Sequence, residues 1–210
     1  MNKILWFLLT ASIVACGKEE KISSDEAKLI HNSYASTRLE NLTDSLSIST
    51  KSLVYWKGTK MRGLGSHEGV VNIEYGHLIF EKGMPQSGLI QVNMQTIQVT
   101  DIPETDPIPR KNLTEHLKNE DFFDVDNFPI ASFEWAECSL VGENVWNIRG
   151  KLKIKEISKP LQLTVQRKGN ILEGEFQINR FDWDIAYRGS WVDRTLVDPD
   201  ILFRVELIPV

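Results

Sequence analysis

The sequence predicts an all-β protein, an eight-stranded antiparallel up-and-down barrel with a short helix inserted between strands. Three observations predict it. From about residue 49 onward, short runs of alternating apolar and polar residues follow one another. Glycines punctuate these runs, among them Gly58, Gly63, Gly83, Gly142 and Gly169. One helical stretch interrupts the series after a Pro-rich segment. A barrel of about eight strands is either filled by side chains or holds one small ligand. A β-sandwich is the alternative arrangement of the same pattern.

The runs fall near 52–58, 67–75, 77–82, 87–100, 131–140, 145–155, 160–168, 171–179 and 201–208. Ile90, Val92 and Met94 share a face, with Gln91, Asn93 and Gln95 opposite; then Ile97 and Val99 take over the apolar phase. That one-residue slip predicts a bulge at a barrel corner. Trp146, Ile148, Leu152 and Ile154 keep one face, as do Leu161, Leu163 and Val165. Between Asn112 and Leu117 the spacing turns helical, with Asn112 as N-cap and Leu113 and Leu117 stacked at i, i+4. The prolines from Pro103 to Pro109 precede this helix, and Pro129 follows it.

Composition excludes several functions. The chain has 210 residues and a net charge of -5, which argues against nucleic acid, since phosphate binding needs clustered Lys and Arg. The set Arg149, Lys151, Lys153, Lys155 recurs with period two and reads as one solvated strand face. His31, His67, His77 and His116 show no zinc-binding spacing, so no metal or other cofactor is expected. Asp121 and Asp124 flank Phe122 and Phe123 and read as turn caps rather than an acid–base pair. Ser66 and His67 are adjacent, and adjacent strand residues point to opposite faces, which weakens a hydrolase.

The N-terminus carries an export signal. A basic start, Met1-Asn2-Lys3, precedes an apolar stretch from Ile4 to Val14, then Ala15-Cys16-Gly17. The stretch is too short to span a bilayer as a helix. Ile13 to Cys16 resembles the bacterial lipobox, which implies that Cys16 receives a lipid and anchors the chain to a membrane. Cys138 is then a lone buried thiol. Three segments follow: a signal peptide (1–15), a lipidated cysteine with a polar tether and possible short helix (16–48), and a barrel domain (49–210). Lys18-Glu19-Glu20, just past the cysteine, resembles a surface-export signal of some Gram-negative lipoproteins and reads equally as a plain tether.

Four stretches now matter together: Ser52 to Gly58, Ser66 to Gly69, Leu113 to Phe133, and Ile178 to Trp183; Gly150 to Leu163 belongs with them. In this order they resemble the YceI-like family of lipocalin-like, polyisoprenoid-binding proteins, from about Ser49 to Val210. The resemblance implies an apolar lumen that holds an isoprenoid-like lipid or amphiphile at the cell envelope, without catalysis. The candidate lumen residues are Trp56, Ile73, Val92, Met94, Phe133, Trp135 and Phe176. His67 and His116 either meet the polar head of a ligand or tie a turn and the helix to the wall. Arg180 either binds a head group or pairs with Asp182. Two other functions remain: a surface interaction protein with a filled barrel, and a hydrolase using His67 or His116. No particular ligand, protein partner or oligomeric state is implied.

Overall fold

The computed structural model describes residues 43–186 and 197–210, which lie within one unit, Leu39–Val210. Cys16, Lys18 to Glu20 and the possible N-terminal helix fall outside the described residues. The strands are β1 (Thr43–Ser47), β2 (Leu53–Lys60), β3 (Gly65–Glu81), β4 (Met84–Val99), β5 (Ile130–Gly142), β6 (Val145–Ile154), β7 (Ile157–Lys168), β8 (Ile171–Asn179) and β9 (Val197–Leu207). A helix, α1 (Pro107–Lys118), joins β4 to β5, and a 3-10 turn (Arg180–Trp183) follows β8.

All pairings are antiparallel. The order β1-β3-β2-β9-β8-β7-β6-β5-β4 closes on itself through β3–β4. Nine strands occupy eight wall positions, because β1 and β2 share one. Strand β2 pairs with residues 65–72 of β3, and β1 pairs with 77–81 along the same edge. The break between them is a turn, with the Ser52 amide donating to Ser49 O, and Ser52, fully buried, accepts from the Ile208 amide at 2.9 Å. Ile48 bridges Pro209, so the shared position is bonded to the C-terminal segment along its length. Among the described residues the wall begins at Thr43, inside the stretch read as tether. Only Leu46 and Ile48 alternate there among polar residues, too short a signal to stand out.

Two details differ from the sequence reading. The runs at 67–75 and 77–82 form one strand, because Gly76 is a packing site and not a turn: a Cβ there would stand 2.5 Å from Ile48. The helix begins at Pro107, not at Asn112, and its N-cap Asp106 makes no side-chain bond. Pro107 and Pro109 sit in the first turn, where missing amide hydrogens leave nothing unpaired. The expected bulge is present: Val70 pairs with Gln98, yet Asn72 pairs with Asn93. Within it Thr96 Oγ1 accepts from the Asn72 amide and donates to Asn93 O. The β3–β4 hairpin turns on Lys82 and Gly83, both at positive φ, as a tight two-residue turn requires.

Up-and-down connectivity sorts the ends. The β2–β3 turn, α1 and the β6–β7 turn crowd one end, the helix end; the 3-10 turn joins them. The β3–β4, β5–β6 and β7–β8 turns mark the far end. The interior holds two packed clusters. One, with Phe122, Phe123, Trp183 and Ile185, lies toward the helix end. The other, with Leu78, Phe80, Trp146 and Leu172, lies toward the far end. Cys138 is half-buried against the second cluster, rather than fully buried as expected, and burial pushes its thiol pKa up.

Candidate functional site

Five side chains lie between the two clusters and pack against both: Val92, Phe133, Leu161, Phe176 and Phe203. Each sits in the inward phase of its strand, yet each stays only half-buried. An inward side chain that keeps exposure faces empty space. That space is an elongated cavity lined by these five together with Trp56, Met94, Phe123, Ala131, Trp135 and others from the eight strands β2 to β9. The gap between lining atoms totals about 1090 Å³, part of it open to solvent. It is narrow for its extent. A buried water needs two or more polar partners. Among the described residues the lining holds no ionisable side chain and one serine, Ser132, so a water there has almost no partners.

The aromatic walls are locally fixed. Phe133 stacks on Trp135 with ring centroids 5.6 Å apart, and Phe176 on Phe203 at 5.1 Å. Glycines on neighbouring strands let the indoles lie flat. Gly88 pairs with Trp135, and a Cβ on it would come within 2.2 Å of that ring. Gly69 pairs with Trp56, and its Cβ would meet the indole at 2.7 Å. Trp135 Nε1 donates to Pro85 O at 3.1 Å. Trp56 Nε1 and Trp146 Nε1 are buried with no acceptor, each leaving a donor unsatisfied at a cost of about 1–3 kcal/mol.

A second, smaller chamber lies beneath α1. Leu113, His116 and Leu117 of the helix, Phe122 and Phe123 of the following loop, and Thr59, His67 and Ile201 of the strands form its walls. Trp56 and Phe123 belong to both chambers and divide them. His67 Nδ1 lies 2.9 Å from Asp101 Oδ2, tying β3 to the loop after β4. His116 packs against Phe122 at 5.7 Å between centroids. At the rim, Asp198 accepts from the Thr59 hydroxyl and from the Arg62 and Gly63 amides, which hold its carboxyl below the usual range. This clasp is complete above the ordinary aspartate range and is lost as pH falls through the depressed value.

The structure thus sorts the residues expected from sequence. Trp56, Val92, Met94, Phe133, Trp135 and Phe176 line the lumen. Ile73 is buried in the far-end cluster, off the lumen wall. His67 and His116 share the chamber under α1. Arg180 lines neither space. It is 1% exposed, and its guanidinium donates to the carbonyls of Ile185 (2.8 Å), Val197 (3.1 Å) and Asp198 (3.2 Å). Asp182, the partner expected for it, is bonded by Lys159 at 3.0 Å instead. Arg180 is a brace between the 3-10 turn and β9. Arg180→Ala leaves three carbonyls short of donors, so we expect a loss of roughly 2–3 kcal/mol in urea unfolding, with lumen binding retained. Sequence reading missed Phe203 and Leu161. The inward phase Ile201, Phe203, Val205, Leu207 would have found the first.

Comparison with known proteins agrees with the barrel. A UPF0312 protein of Azotobacter vinelandii is 25% identical over 92 residues, 43% of this chain and 44% of the relative, so the match spans under half of that relative's length. The crystal structure of Burkholderia cenocepacia BcnA is similar in fold, with a TM-score of 0.56 and 18% identity, covering 74% of this chain and 95% of that one. The Campylobacter jejuni YCEI protein aligns at a TM-score of 0.45 and 19% identity over 59% of this chain and 71% of its own. The model of the YceI-like domain matches residues 47–207, from the end of β1 to the end of β9, and the chain belongs to that family.

Proposed function

We propose that this barrel binds one apolar, isoprenoid-like lipid or amphiphile in its lumen and carries or sequesters it at the cell envelope, without catalysing a reaction. The observation that carries the reading is the band of five half-buried side chains around an ion-free space. A barrel whose role needed only surface contacts gains stability by filling that space, since close packing adds dispersion contacts. A narrow slot suits a single linear chain better than a fused ring system. Of the polar groups beside the lumen, His67 is engaged by Asp101, and it borders the chamber under α1 together with Ser66 and His116.

The test is solvent extraction of the purified mature protein, with mass spectrometry of the extract. A stoichiometric isoprenoid-like or similarly apolar lipid is the expected result. An extract without lipid, together with no uptake of added prenyl lipid, overturns the reading. Its envelope location rests on Cys16 as the lipid anchor. Cys16→Ser should move the protein from the membrane to the soluble fraction, and persistent membrane association of the processed variant removes that part.

A further inference from the structure

At the helix end the inner face of the wall turns from apolar to basic. The inward phase of β2 runs Val54, Trp56, Gly58, Lys60, and the β3 residues paired with these are Val71, Gly69, His67 and Gly65. Directly paired residues share a face, so Lys60 and His67 lie on the same side of the wall as Trp56. Both border the chamber under α1, across from His116 of the helix. The stem of Lys60 lies over Gly65: a Cβ there would stand 3.1 Å from Lys60 Cγ and 2.7 Å from Lys60 Cε. The chain therefore stays on the inner face as far as the carbon that bears the ammonium. Beside it, Gly58 has nothing within 4 Å of its Cβ position, so the inner face there meets open space.

The anions near this space are already engaged. Asp198 accepts from the Thr59 hydroxyl and from the Arg62 and Gly63 amides, and Asp101 holds His67 Nδ1. Lys60 Nζ, by contrast, has no ion-pair partner among the described residues. Lys57, outward on the same strand, is paired with Glu68 at 3.5 Å. We propose that the chamber under α1 holds the head of the lumen's ligand, and that this head is a carboxylate paired with Lys60. The inference rests on the lumen being the lipid site; the chain runs past Trp56 and Phe123, which border both spaces. A hydrocarbon end leaves the ammonium unmatched, and an ester offers it an acceptor without a charge. A carboxylate offers both. A phosphate monoester carries nearly two charges against one permanent cation. Lys60 keeps contact with solvent, so the preference is moderate in size. The ligand class is a long-chain carboxylic acid.

The test loads the full chain from detergent with an equimolar mixture of hexadecane, methyl hexadecanoate and hexadecanoic acid, at a pH above the carboxylate range. Gas chromatography of the silylated extract measures what is retained. The wild-type protein should keep the acid ahead of the ester. In Lys60→Met the acid-to-ester ratio should fall about fivefold, the scale of a partly solvated ion pair, and Lys60→Arg should preserve it. Lys57→Met removes an equal charge from the outward face and should leave the ratio unchanged. Gly58→Leu fills the open space and should lower the ratio as Lys60→Met does, with hexadecane still retained. Three results each overturn the proposal and leave the lumen reading intact: ester ahead of acid in the wild type, an unchanged ratio in Lys60→Met or Gly58→Leu, or an equal fall in Lys57→Met. Retention of none of the three compounds overturns both. Should Lys60→Met fail to fold, Gly58→Leu decides on the same criterion.

Discussion

Gly69→Ala should cost roughly 3–5 kcal/mol, the upper end for a single substitution, measured by urea unfolding. A Cβ at Gly69 would stand 1.8 Å from the carbonyl oxygen of Gln98 and 2.7 Å from the Trp56 ring. A flexible side chain can give way, but a backbone oxygen in a paired strand cannot. Gly69 pairs with Val99 and Trp56 on its two sides, so moving either neighbour opens a ladder. The loss takes a large share of a total stability of about 5–15 kcal/mol. Gly58→Ala is the matched control. It lies on a paired strand with nothing within 4 Å of its Cβ position, and its stability should shift by less than about 0.5 kcal/mol. A loss below about 1 kcal/mol at Gly69 refutes the steric account of the Trp56 wall.

Val92→Phe separates an open lumen from a packed core. Val92 lines the cavity at mid-height and is only half-buried, so a phenyl ring there has space to enter. The melting temperature should stay within about 3 °C of wild type. Binding of a neutral apolar dye such as N-phenyl-1-naphthylamine should weaken at least about tenfold, or about 1.4 kcal/mol, because the ring occupies the slot. In a filled core the same change forces strain of about 1–3 kcal/mol. A clear drop in melting temperature with dye binding unchanged contradicts the open lumen. The two variants probe different layers: Gly69 the spacing between wall and indole, Val92 the space the indoles enclose.

Much of the barrel was legible because alternation is a strong local signal. Ile90, Val92 and Met94, or Leu161, Leu163 and Val165, announce an inward face wherever the strand lies. The failures come from residues whose role depends on distant neighbours. Gly76 reads as a turn because the Ile48 that fills its missing side chain lies on another strand. Arg180 reads as a head-group ligand or a partner of Asp182 because two of the carbonyls it binds belong to β9, beyond a long connection. Ile73 has the same inward phase as Val92 and pairs with it across the β3–β4 ladder, yet it packs into the far-end cluster while Val92 lines the lumen; β3 shifts register on both sides of Ile73. Alternation tells inside from outside; it carries no information about what each inward side chain meets. The unused Trp56 donor is invisible for the same reason, since an orphaned hydrogen shows only when every neighbour is in place.

The shared wall position of β1 and β2 sets the order in which this barrel can be made. Its ring is sealed by pairs between residues near 47–58 and residues 201–210, including the Ser52 hydroxyl bonded to the Ile208 amide, 156 residues away. While the chain is emerging from a ribosome or a translocation channel, that seam has no second half. Strand β3 and every strand up to β8 can pair with a neighbour in sequence, but the open sheet keeps two unpaired edges until β9 arrives. Contacts of such long sequence separation form slowly, and the edges are competent to pair with other chains meanwhile. Ring closure is therefore a terminal, all-at-once step, and a chaperone that shields β2 or β8 until synthesis ends would raise the yield of folded protein more than one that acts on the finished chain.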